Sequence, residues 1–156
     1  MTVTSCDKVY EKLRAASIKY LSVPRTSKEV ITKLTKIGLE NAIDSTSLEE
    51  CIALVVKGLR DDNLLDDLEY AKTYCAQEIA NPNPSSPFEI SKFLYRKGIA
   101  RSHINQVLTA YTPDVQNDVI ARIVRKKNKY TRDKLIQYLA RRGFSINIIQ
   151  HVLDTI

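Results

Sequence analysis

Three of the chain's four glycines close the same short phrase. Leu34-Thr35-Lys36-Ile37-Gly38-Leu39, Leu94-Tyr95-Arg96-Lys97-Gly98-Ile99 and Leu139-Ala140-Arg141-Arg142-Gly143-Phe144 each place Leu, three residues, Gly and an apolar residue in that order. A helix stopped by a left-handed glycine has this pattern, because the apolar residue after the glycine folds back onto the preceding turn. Glycine takes that conformation without the strain that a β-carbon brings. Three occurrences predict a chain that repeats one helical unit.

Helix starts are marked as well. Thr26 precedes Glu29, Ser47 precedes Glu50 and Ser86 precedes Glu89 by three residues each, the spacing of a capping box. Asp66 and Glu69 form an acidic version, and Pro87 follows Ser86 at a first helical position. Pro24 and the Thr112-Pro113 pair fall where periodic segments break. These signals predict helices over 7–22, 27–37 and 47–62, then 66–80, 87–97 and 100–111, then 114–128, 132–142 and 145–155. Apolar residues recur at spacings of three and four, as in Ile90, Phe93, Leu94 and in Ile149, Val152, Leu153, Ile156. A shift of 45 positions superposes Phe93 on Tyr138, Leu94 on Leu139, Gly98 on Gly143 and Val107 on Val152. The expected fold is all-α: one continuous array of three-helix repeats over 7–63, 64–112 and 113–156, elongated and curved, with no deep catalytic cleft. The proline-rich segment 81–87 is the one clear loop, either a hinge or a plain surface turn.

Charge is unevenly placed. The net charge is +6, but residues 122–142 hold nine basic residues against Asp133 alone, so that window carries +8 and the remainder sums to −2. Such a field suggests an anionic partner without proving one. Residues 1–10 are polar, no stretch approaches the roughly 20 apolar residues of a membrane span, and neither a leader nor a membrane anchor is expected. Cys6, Cys51 and Cys75 are odd in number and lack CxxC spacing; they read as reduced thiols of a cytoplasmic protein. With only His103 and His151 to join them, a metal site is not expected. No phosphate-binding glycine loop is present, so neither ATP nor another cofactor is expected on this chain. Asp66-Asp67 could suggest paired carboxylates, although an Asp at a helix start accepts backbone hydrogen bonds without any catalytic role. Tyr70 and Tyr74, at helical spacing, read as packing residues rather than stacking platforms. An enzyme is the least supported class.

Residues 59–71, Leu-Arg-Asp-Asp-Asn-Leu-Leu-Asp-Asp-Leu-Glu-Tyr-Ala, followed by Phe93-Leu94-Tyr95-Arg96-Lys97-Gly98-Ile99, resemble the RecX family of recombinase regulators. Tyr20-Leu21 with Arg25-Thr26-Ser27-Lys28-Glu29 is similar to that family's first repeat, and residues 138–144 to its last. The resemblance runs from about residue 14 to the C-terminus. It departs at Asn63, where glycine is common, at Tyr70, where Phe is common, and at Pro87-Phe88, near a frequent glycine. What the resemblance implies is a regulator that binds the RecA filament on single-stranded DNA; a monomer is expected. Such a regulator modulates, mostly inhibits, the filament's ATPase, extension and strand exchange in recombination, repair and the SOS response.

The basic residues are the contact candidates. Arg125, Lys126, Lys127, Lys129 and Arg132 lie in the +8 window, and Arg96-Lys97 and Arg141-Arg142 sit at equivalent repeat positions. Arg25 matches the family phrase in the first repeat. They could meet recombinase or DNA phosphates. Cations at helix ends also pair with the helix dipole, which alone could account for several of them. Two other function classes remain open: a stand-alone basic nucleic-acid-binding module, and a helical adaptor for another protein.

Overall fold

The computed structural model describes residues 5–156; residues 1–4 of the polar N-terminus lie outside the described residues. Among the described residues are nine α-helices and no strand: α1 Ser5–Tyr20, α2 Ser27–Glu40, α3 Ser45–Asp61, α4 Asp67–Ala80, α5 Pro87–Arg96, α6 Arg101–Leu108, α7 Pro113–Lys126, α8 Arg132–Arg142 and α9 Ile146–Thr155. The chain divides into two compact units, one comprising the described residues up to Tyr70 with Lys97–Ile99, the other Ala71–Arg96 with Ala100–Ile156.

In the first unit α1, α2 and α3 pack pairwise on one another. Leu13, Val30, Leu34, Val55 and Leu59 are fully buried there, with Leu48, Cys51, Ile52, Val56 and Leu65 beside them. Thr26 caps α2 by accepting from the Glu29 amide at 3.3 Å. The start of α3 differs from the sequence expectation. Asp44, not Ser47, is the cap: its carboxylate accepts from the Ser47 amide at 3.4 Å, and the helix begins at Ser45. Asp and Ser are near-equal capping residues, so the earlier Asp takes the role. Asp66 and Asp67 are both engaged by backbone amides. Asp66 accepts from Glu69 at 3.0 Å and Asp67 from Ser27 at 2.7 Å.

The glycine phrases divide into two kinds. Gly98 and Gly143 have φ of 82° and 100°, the left-handed turn expected of them. The Phe144 amide reaches back to the Leu139 carbonyl at 3.2 Å, closing the end of α8. Gly38 does otherwise. It lies inside α2, which continues to Glu40, and the left-handed residue is Ala42 at 52°. The Ile43 amide then bonds the Gly38 carbonyl at 3.0 Å. Glycine is needed at 38 for a different reason: a Cβ there would lie 2.3 Å from Leu48 Cδ1, so its absence lets α2 and α3 approach closely. A fourth such turn closes α3, with Asn63 at 57° and the Leu64 amide bonded to the Leu59 carbonyl at 2.9 Å.

In the second unit α5 packs on α6, and α7 and α8 on α9. Ile90, Leu94, Val119, Ile120, Leu139 and Ile149 are fully buried. Ser86 and Glu89 form the complete reciprocal box, with bonds of 3.0 and 3.1 Å. Thr112 and Thr131 cap α7 and α8. The proline-rich segment is a tethered turn. Arg142 donates to the Pro84 carbonyl at 2.6 Å, Arg122 to the Ile79 carbonyl at 2.5 Å, Tyr111 Oη to the Ser85 carbonyl at 2.8 Å, and Lys126 Nζ to the Pro82 carbonyl. Pro84 and Ser86 are buried. These bonds fit a fixed turn better than a hinge.

Tyr111 makes the turn sensitive to pH. Burial is the main cause that holds its phenol well above the usual tyrosine range, with the nearby Cys75 thiol acting the same way. A raised pKa means the folded state keeps a proton that the unfolded state gives up. The contribution is therefore fully present below about pH 10 and is lost as pH rises beyond it. Tyr111→Phe should cost about 1 kcal/mol at pH 7 through the orphaned Ser85 carbonyl. Urea melts at pH 8 and pH 11 should show the variant losing less stability between the two than the parent. Parallel losses would contradict this account of Tyr111.

Candidate anion-binding surface

In the second unit, cations gather where helices end. On α5, Phe88, Lys92 and Arg96 are spaced four apart, which puts them on one face. Together with Arg141 and Arg142 from the end of α8 they line an open groove of about 440 Å³. Ser85, Glu89, Tyr74 and Phe93 complete it, the two rings stacked at 4.1 Å and 10°. Four cations and one carboxylate thus border a concave site that also offers Phe88, 58% exposed. Such a site suits an extended, negatively charged chain carrying flat or apolar groups.

The ten basic residues singled out from the sequence fall into three sets. Arg125, Lys129 and Arg141 are exposed and have no carboxylate partner among the described residues. Arg96 is also exposed and lines the groove. Arg125, Lys129 and Arg141 present charge to solvent.

A second set is partly engaged. Lys126 is exposed but spends its ammonium on the Pro82 carbonyl. Lys127 lies 5.4 and 5.0 Å from the ring centres of Tyr130 and Tyr138, which themselves meet edge to face at 5.9 Å. Arg132 pairs with Asp154 at 2.6 Å, both half exposed.

The third set is committed to the fold. Arg142 is only 14% exposed, bonds Glu89 at 2.9 Å and the Pro84 carbonyl, and lies over the rings of Tyr138 and Phe144. It holds the α8 end against the turn before α5. In the first unit, Lys97 and Arg25 converge on Glu29 at 2.8 and 3.6 Å. The hydrogen bond to Glu29 pushes the Lys97 ammonium up, and Arg25 lies 4.4 Å from the Tyr20 ring centre. Burial pushes the neighbouring Tyr70 phenol up too. Two cations thus share one carboxylate in this cluster, so their charge is partly neutralised within the fold.

Lys92 and Phe88 were not among the sequence candidates. The signal for them was the spacing of four with Arg96, visible once α5 is accepted as a helix. Among the described residues no three His, Cys, Asp or Glu side chains are placed to hold a metal ion. No helix among them is long and apolar enough to cross a membrane.

Comparison with known proteins gives consistent results. No family model matches the chain. Regulatory protein RecX of Limosilactobacillus reuteri is 28% identical over 154 residues, covering 93% of this chain and 55% of that protein. RecX of Bacillus cytotoxicus is 31% identical over 92% of this chain and 53% of its own length, and RecX of Bacillus pumilus 32% over 88% and 52%. The chain therefore spans about half the length of the curated relatives it matches. These relatives are named for a regulatory role and not for a catalysed reaction. Among solved structures, a crystal structure of regulatory protein RecX superposes with a TM-score of 0.78 at 27% identity, covering 96% of this chain and 74% of that one. RecX from Lactobacillus salivarius superposes with a TM-score of 0.78 at 25% identity, covering 95% and 96%. Along nearly its whole length, in sequence and in fold, this all-helical chain is similar to the RecX regulatory proteins.

Proposed function

We propose that this chain regulates a RecA-type recombinase by binding its filament on single-stranded DNA, mostly inhibiting ATP hydrolysis, filament extension and strand exchange. The observation that carries the reading is the groove of the second unit, where Lys92, Arg96 and Arg141 surround the exposed Phe88 ring. An excess of positive charge in a concave site steers an anionic filament toward it, and phosphate neutralisation releases counterions. Arg125 and Lys129 extend the cationic surface of the same unit. We further propose that the regulator acts as a cytoplasmic monomer. We also propose that its helices are three three-helix repeats, 7–63, 64–112 and 113–156, which would let one molecule meet several protomers.

The Lys126 bond to the Pro82 carbonyl bears on how this is tested. Charge reversal at Lys126 would disturb the turn as well as the surface, so Lys129 and Arg141 are the better pair. Lys129→Glu with Arg141→Glu should weaken co-sedimentation with recombinase filaments at least tenfold at about 0.1 M salt, with unchanged helix content by circular dichroism. The control Lys36→Glu, on exposed α2 surface, should bind as the parent does. Undiminished binding by the double variant would remove this surface from the mechanism. The second reading, a stand-alone nucleic-acid module, draws on the aromatic ring set among cations, an arrangement that stacks bases while holding phosphates. It predicts tight, salt-sensitive binding to single-stranded DNA with no recombinase present.

A further inference from the structure

Cys6, in the first turn of α1, and Cys51, in α3, bring their sulfurs to 3.5 Å across a sequence separation of 45 residues. Cys6 is exposed and Cys51 is buried. Nothing in the regulatory reading uses either thiol. We propose that Cys6 and Cys51 form an oxidation site, which a peroxide converts to an intramolecular disulfide joining α1 to α3.

The chemistry divides the roles. The exposed Cys6, as thiolate, attacks one peroxide oxygen; the O–O bond breaks, Cys6 becomes a sulfenic acid, and the leaving hydroxide takes up a proton to depart as water. Cys51 sulfur then attacks the Cys6 sulfur. The S–O bond breaks, an S–S bond forms, and the hydroxide leaves as a second water with the Cys51 proton. Two thiols are oxidised and one hydrogen peroxide is reduced to two waters. Cys51 suits the second step: burial is the main cause that pushes its thiol up, with the Cys6 neighbour adding to it, so it is a poor first nucleophile. It is nonetheless held beside the sulfur it must attack. Closing to a bond needs a movement of about 1.5 Å. The first turn of α1 can supply it, because Cys6 is exposed and packs less tightly than the fully buried Leu13 later in the helix.

The test is stoichiometric hydrogen peroxide on the full chain, alkylation of the remaining thiols, and peptide mass spectrometry without reductant. The expected result is a Cys6–Cys51 cross-linked peptide, a thiol count that falls from three to one, and Cys75 still alkylated. The oxidised protein should melt several degrees higher, because the bond constrains the unfolded chain, and dithiothreitol should reverse the shift. Cys6→Ser, at an exposed position, should fold normally and show neither change. A thiol count that stays at three would overturn the proposal. So would a Cys6 sulfinic acid with Cys51 still free, pairing with Cys75, or disulfide-linked dimers.

Discussion

Replacing Leu59 with alanine is expected to lower stability by about 3–4 kcal/mol, a large share of what a domain of this size has to lose. Leu59 is fully buried in the first unit's cluster, in the same core as Leu13, Val30, Leu34 and Val55. Removing its three terminal carbons forfeits their transfer energy and leaves a cavity whose walls are three packed helices. A close-packed core collapses only partly into such a void. Leu59 is also the residue whose carbonyl receives the Leu64 amide at the end of α3, so the site lies where the helix is being turned. Leu54, on the same helix but 55% exposed, supplies the control: Leu54→Ala should cost no more than about 0.5 kcal/mol. Urea denaturation followed by circular dichroism measures both. Equal effects would mean that the α1–α3 core is not the source of stability claimed here.

Gly143→Val is expected to cost about 3 kcal/mol or more, and to damage the groove besides. Two penalties combine. At φ of 100° the residue lies where a β-branched side chain is strongly disfavoured. A Cβ there would also come within 2.4 Å of Phe88 Cβ, an atom that cannot rotate away. Phe88 must therefore move, and Phe88 lines the groove. Gly143→Asn separates the two effects, since Asn tolerates the left-handed region but keeps the Cβ. It should recover only part of the lost stability and leave the groove distorted, read as weakened filament binding. Full recovery with Asn would show that conformation alone matters at this position.

The turn residues also show what was legible in the sequence. Gly98 and Gly143 carried a signal because glycine is the residue that enters a left-handed turn at no cost. Ala42 carried none, since alanine is a good helix former and only the packed structure forces it to φ of 52°. The phrase ending at Gly38 therefore misplaced the end of α2 at 37 instead of Glu40. The glycine there answers to Leu48, ten residues on and in the next helix, a long-range reason that no local pattern encodes. Asn63, noted only as a departure from a common glycine, turned out to occupy the same kind of turn, as a residue with a short polar side chain can. Amphipathic spacing and caps placed all the helices; the α3 start failed where two capping residues stood three apart and Asp44 took precedence.

The candidate surface was legible in part. Net charge located the basic third of the chain, but not which cations were already occupied. Arg142 and Arg141 are neighbours in sequence and at opposite extremes in use: one is tied to Glu89 and the Pro84 carbonyl, the other is exposed. Helical rotation of about 100° per residue separates them, and the partners that claim Arg142 lie more than 50 residues away. Arg25 and Lys97, grouped with the binding residues by family phrase and repeat position, both pair with Glu29 in the first unit. Charge counted along a chain measures the field it can generate, and only the fold determines where that field remains unbalanced.

The central claim is regulation of a recombinase filament, and the most direct measurement is single-stranded-DNA-dependent ATP hydrolysis by the cognate RecA with this chain titrated in. The account predicts inhibition at well below one molecule per recombinase protomer, relieved by the Lys129→Glu, Arg141→Glu variant. Undiminished hydrolysis at molar excess of this chain, with the recombinase shown to be active, would contradict it.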